Sequence, residues 1–152
     1  MSLKLTPLFK KSDINKWIKQ FQDNAEMKIY TTLQAAGEEF VRQARLSGVY
    51  DNHSGNLRSS IGYVITKDNS IVSENFEIQN VGTDGKEGVQ KAKKLARELA
   101  RDAMSGYGLI GVAGMEYAMY VEAIDGKDVI TGASIQAEER LRKSIKTVLE
   151  KV

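Results

Sequence analysis

The chain has 152 residues, with 22 basic and 20 acidic side chains, a formal net charge of +2 and no cysteine. One domain accommodates that length, and a chain of this size buries about 68–70% of its unfolded surface, enough for a genuine core. The near-balanced charge argues against a nucleic-acid binder, which concentrates a basic excess on one face, and the lack of cysteine excludes disulfides, a thiolate nucleophile and a cysteine-based zinc site.

The chain opens on "MSLKLTPLFKK", which has basic residues but neither the apolar stretch nor the small-residue cleavage site of a secretory leader. No apolar run approaches the ~20 residues of a membrane span. A cytoplasmic product with one domain over 1–152 is expected, residues 1–12 forming a flexible N-terminal segment. From Asp13 to Arg45 the apolar residues Ile14, Trp17, Ile18, Phe21, Ala25, Ile29, Leu33, Ala36, Phe40 and Ala44 recur at steps of three or four. That is the stripe of one amphipathic helix, with Ser12 or Asp13 as N-cap. Such a helix would span ~50 Å at 1.5 Å per residue, against a radius of gyration of ~15 Å for a compact domain of this size. Either it breaks near Gly37, or it projects beyond its own domain and wants a partner.

Gly48 is a candidate helix stop, and "YDNHSG" is rich in loop formers. "SIGYVIT" places Ile61, Tyr63 and Ile65 on one side at period two, "KDNS" is a turn, and "IVSENFEIQNV" places Val72, Phe76 and Ile78 on one face. Together they predict a β-hairpin. A second helix follows over about 86–105, with Asp84 and Glu87 at capping-box spacing and Gly106 able to stop it. Its stripe of Val89, Ala92, Leu95, Ala96, Leu99 and Ala103 is alanine-heavy, which predicts close approach to a sheet. "YGLIGVAG" reads as a short strand and "MEYAMYVEAID" as strand or short helix. A last helix covers about Ser134–Lys151, with Ile135, Leu141, Ile145, Val148 and Leu149 at helical spacing.

Several motifs invite chemistry. Asp51, His53 and Ser54 are the residue types of a triad and include the only histidine. Triad members must converge from positions that let a base reach a nucleophile with an orienting group behind it. Neighbours on one short loop do not, and no G-x-S-x-G elbow surrounds Ser54 or Ser60. A turn held by local side-chain bonds, with Gly55 in a glycine-favoured conformation, explains the same residues. "GYGLIG" (106–111) matches G-x-G-x-x-G, but it follows a helix and enters a strand, the reverse of the dinucleotide order. Lys86, Lys91, Lys93, Lys94, Arg97 and Arg101 on the second helix could meet phosphates, yet Glu87, Glu98 and Asp102 share that helix and predict a solvated mixed face. Tyr117 and Tyr120, with Met115, Met119 and Glu122, form a patch that serves either as core or as a contact surface.

Two stretches in order resemble one family. "SGNLRSSI" (54–61) is similar to the T-G-x-L-x-x-S-I motif of the gene-product-ten-like family of phage tail-completion and head–tail joining proteins, and "YAMYVE" (117–122) is similar to its Y-A-x-Y-V-E motif. Ser54 takes the threonine position; Gly55, Leu57, Ser60 and Ile61 match, as do Tyr117, Ala118, Tyr120, Val121 and Glu122. The resemblance implies a non-enzymatic virion-assembly protein with no cofactor or metal. Copies would form a ring at the head-proximal end of the tail, in contact with tail-tube and neck or connector proteins. The chain would act in the host cytoplasm during assembly and at the head–tail junction of the virion, with neither membrane nor nucleic acid as partner. Leu57 and Ile61 would anchor a turn on the core, with Arg58 near the surface. Tyr117, Tyr120, Glu122, Met115, Met119 and the loop 123–133 are the candidate contacts, together with the over-long first helix. The expected fold is α+β: a small, mostly antiparallel sheet packed against a long N-terminal helix, a middle helix and a C-terminal helix. Two other functions compete with this one, a nucleic-acid module built on helix 86–105 and a small hydrolase built on His53.

Overall fold

A computed structural model describes residues 6–47, 55–79, 85–103, 105–115, 118 and 129–151. The order is α1 (Lys11–Ser47), α2 (Asn56–Ser59), β1 (Ile61–Lys67), β2 (Ser70–Asn75), α3 (Lys86–Arg101), β3 (Tyr107–Ala113) and α4 (Thr131–Glu150). The α+β architecture is the expected one. Three antiparallel strands in the order β2-β1-β3 form a sheet. Helices α1 and α4 cover one face and α3 covers the other.

The central strand explains the layering. Ile61, Tyr63 and Ile65 point to one side and pack with Leu33, Phe40, Val41 and Ala44 of α1. Val64 points to the other and packs with Ala92 and Ala96 of α3. Alternation therefore feeds two cores, and β1 is buried from Ile61 to Thr66. On α3 the innermost line is Gly88, Ala92, Ala96 and Ala100, residues small enough to let the backbones meet. A Cβ on Gly114, just after β3, would collide with the Ala92 backbone.

Helix α1 runs unbroken for 37 residues, so the expected break at Gly37 does not occur. That glycine instead leaves space for the Tyr63 ring. The helix also starts earlier than expected. Lys11 and Ser12 are helical rather than part of a flexible segment, and the Lys10 N–H donates to Asp13 Oδ2 at 3.1 Å, so Asp13 caps from inside the first turn. Helix α4 begins at Thr131, three positions before the expected start. It runs antiparallel to α1, with Arg140 paired to Glu39 at 3.2 Å and Ile145 and Leu149 beside Ile29 and Leu33.

Strand β2 differs from expectation. Phe76 faces the α3 core, whereas Val72 and Ile78 are half exposed. The ladder slips between Ile65 and Thr66, which pair with Ser73 and Ile71. Val72 is the additional residue of that bulge, so Ile71 takes the inward position. A bulge resets period-two alternation from that point on. At α3 the N-cap is Gly85, without a side-chain cap, and Asp84 lies outside the described residues, as does Gly48. On α3 and α4 the larger stripe residues Leu99, Ile135, Ile145 and Leu149 are exposed, and alanines carry the packing.

Candidate assembly surface

The stretch that resembles the first motif is a junction of four elements. Gly55 adopts φ 77°, the left-handed conformation that glycine tolerates, and starts the single turn α2. Leu57 and Ile61 are buried in the larger core. The Ser60 hydroxyl donates to the Leu57 carbonyl at 2.7 Å, and the Ser60 carbonyl accepts from Gly114 at 3.0 Å. Two residues that sequence reading passed over complete the joint. Asn56 Oδ1 accepts from the Gly88 N–H of α3 at 3.2 Å, and Ser59 Oγ accepts from the Gln79 N–H at 2.9 Å. Their polarity hid them, because buried asparagine and serine read as surface residues in a sequence. Arg58, expected at the surface, is half buried. Asp51, His53 and Ser54 lie outside the described residues.

The glycines of "GYGLIG" serve close packing as expected, but Gly106 does not stop α3, which ends at Arg101 with its cap at Asp102. Gly106 has φ 87°; its N–H donates to Asp68 Oδ1 at 2.8 Å, and its carbonyl accepts from the Asp68 N–H at 3.0 Å. Gly111 leaves room for the Phe40 ring.

The Tyr/Met patch falls largely outside the described residues: Tyr117, Met119, Tyr120 and Glu122 are not described, nor are residues 123–128 of the candidate loop. Met115 and Ala118 are buried in the larger core, not at the surface.

The basic residues of α3 are partly engaged. Lys93 pairs with Glu74 of β2 at 2.8 Å, and Lys91 with Glu87 at 3.1 Å. Lys86, Lys94, Arg97 and Arg101 are exposed on a helix that also carries Glu98 and Asp102.

Among the described residues, α1 carries a run of exposed apolar side chains on one face. Glu26 marks where the helix leaves the body: its carboxylate takes the Lys67 ammonium at 2.8 Å and the Tyr107 hydroxyl at 3.2 Å. Those two contacts hold it below the usual carboxylate range, the Lys67 hydrogen bond first. Lys67 and Tyr107 are the ends of their strands, so the sheet stops here. Toward the N-terminus every residue from 15 to 24 is exposed. Trp17, Ile18 and Phe21 on this stretch are 59%, 52% and 56% exposed. They continue the stripe that Leu33, Ala36, Phe40 and Ala44 bury against sheet and α4. One stripe therefore has a covered half and a bare half. At ~1.5 Å per residue the whole helix is ~55 Å long, so the bare half extends well past the core.

Among the described residues no helix is long and apolar enough to cross a membrane. No family model matches this chain, and neither a curated protein nor a solved structure matches it.

Proposed function

We propose that this chain is a structural protein of a phage or prophage particle, acting in tail completion or head–tail joining by protein–protein assembly into a ring. The observation that carries the reading is the bare half of the α1 stripe, an apolar helical extension of the kind that a partner surface covers. Two ordered motifs, "SGNLRSSI" and "YAMYVE", point the assembly toward phage morphogenesis. The partners are then tail-tube and neck or connector proteins, and the place of action is the host cytoplasm during assembly and the head–tail junction afterwards. The mechanism is burial of surface, with specific interfaces covering ~1,200–2,000 Å², and it involves no chemical step and no cofactor.

The test is genetic. The gene is deleted in its source genome, particle production is induced, and the lysate is imaged by electron microscopy beside a complemented strain. Unjoined heads and tails, or tails of aberrant length, are expected, with normal particles restored on complementation. Normal infectious particles without the gene would sink the reading.

A further inference from the structure

The bare stripe has a definite geometry. Trp17, Ile18 and Phe21 are exposed and share one face of α1 with the half-buried Ile14 and Ala25 at helical spacing. That face continues the seam between α1 and α4. The seam is lined by Ile29, Leu33, Ile145, Val148 and Leu149. Among the described residues its last contact is Lys151, which shares a shallow depression with Phe21, Asn24, Ala25 and Lys28. Beyond that point α1 goes on without α4. A helix laid on the bare stripe would take up the line of α4, antiparallel to α1.

We propose that in the free protein this place is filled by the same stretch of a second copy, the two α1 extensions packing antiparallel about a two-fold axis near Trp17 and Ile18. Three features favour a second copy over other occupants. The first is continuity: an antiparallel α1 prolongs an interface that the chain already makes with α4. The second is the rim. Asn15 and Gln22 border the stripe on one side and Gln20 and Asn24 on the other. Lys11 and Asp13, of opposite sign, stand at the two edges near the N-terminal end, while Lys16, Lys19 and Asp23 fall on the opposite face and Glu26 is engaged by Lys67 and Tyr107. Amides both donate and accept, and Lys11 and Asp13 offset one another in charge, so this rim complements a copy of itself, whereas a rim of like charges would repel one. The third is area. Lys28 and Lys151 bound the stripe at the α4 end, which leaves an overlap from about Lys11 to Gln22, ~18 Å of helix. Aromatic side chains bury about 150–250 Å² each. The exposed parts of Trp17, Ile18 and Phe21 with their rims, taken from two copies, therefore bury on the order of 1,000 Å², near the lower limit of a specific interface. The pairing is thus weak enough to depend on concentration and to yield to a larger partner surface. It holds whether or not the chain serves in a phage particle.

Trp17 is the only tryptophan of the chain and reports the contact directly. The full-length protein is examined by sedimentation equilibrium and by tryptophan emission over one concentration series. The mass is expected to rise from one chain to two, with a blue shift of emission that has the same midpoint. Ile18→Glu should raise the dissociation constant at least about tenfold, and Phe21→Glu likewise, with far-UV circular dichroism unchanged because both side chains are already half exposed. Lys19→Glu, on the opposite face, should leave it unchanged. A single-chain mass throughout would overturn the proposal. So would assemblies larger than two chains, a dimer that survives both glutamate variants, or a Trp17 emission that ignores dimer formation.

Discussion

Gly37 of α1 lies directly under the ring of Tyr63, the third residue of the central strand. A Cβ built on Gly37 would stand 2.5 Å from Cδ2 and Cε2 of that ring. The ring is buried between helix and sheet and cannot withdraw without opening the larger core. Gly37→Ala therefore sets two effects against each other. Alanine improves helix propensity by about 1 kcal/mol, while overpacking costs about 1–3 kcal/mol. Contact with a buried ring that has no free space to move into makes the second effect win. A net loss of about 1–2 kcal/mol is expected in urea denaturation, and a gain in stability would show that α1 shifts away from the sheet at little cost.

The same tyrosine carries a pH dependence. Its hydroxyl donates to Glu38 Oε1 at 2.8 Å, which also accepts from Asn75 Nδ2 at 2.7 Å. Burial first, and the Glu38 carboxylate second, push the Tyr63 hydroxyl well above the usual tyrosine range. The folded state thus holds its proton at a pH where the unfolded chain, with a pKa of ~10, releases it. The stability from this group is complete below pH ~10 and declines as pH rises further. Tyr63→Phe should cost about 1 kcal/mol at neutral pH, because Glu38 keeps Asn75 and can take up water. It should also flatten the fall in stability above about pH 10. An equally steep alkaline fall in the variant would assign that titration to another group.

These two residues also show what the sequence made legible. The period of two placed Tyr63 on the same side as Ile61 and Ile65, and the structure puts all three against α1. The period of 3.6 located α1, α3 and α4 to within a few residues. What stayed hidden depended on partners distant in sequence. Gly37 read as a helix break because only the Tyr63 ring, 26 positions later, explains a glycine there. The bulge at Val72 arises from pairing with β1, and nothing local in "SIVSEN" announces it. Asn56 and Ser59 gain their roles from Gly88 and Gln79. The over-long stripe of α1 was plain in the sequence, but which half stays bare was not. That is decided by where the sheet ends, at Lys67 and Tyr107.

The β1–β2 turn offers a stabilising change. Asp68 and Asn69 have φ of 50° and 65°, the pair of positive values of a type I′ turn. Asp68 is fixed by its bond to the Gly106 N–H and should be kept. Asn69 is exposed, so its preference is purely conformational. Asn69→Gly is expected to stabilise by about 0.5 kcal/mol and Asn69→Val to destabilise by about 1–2 kcal/mol, since β-branched residues resist the left-handed region. For a chain of this size a change of 1 kcal/mol moves the melting temperature by about 2–4 °C. Equal melting temperatures for the two variants would mean that the turn relaxes to another type.

The basic face of α3 gives the sharpest contrast with a nucleic-acid module. Phosphate binding by several lysines and arginines makes affinity fall steeply with salt, with a slope set by the number of phosphates neutralised. On α3 the cations are interleaved with Glu87, Glu98 and Asp102, and Lys93 is spent on Glu74. Duplex DNA at physiological salt should therefore bind the wild type no better than it binds the triple variant Lys93→Glu, Lys94→Glu, Arg97→Glu. The variant should lose only the modest stability of an exposed ion pair, about 1 kcal/mol or less. Fluorescence anisotropy on a labelled duplex at two salt concentrations decides the matter. Tight, salt-dependent binding that the triple variant abolishes would move function from assembly to α3, and the bare stripe of α1 would then need a different account.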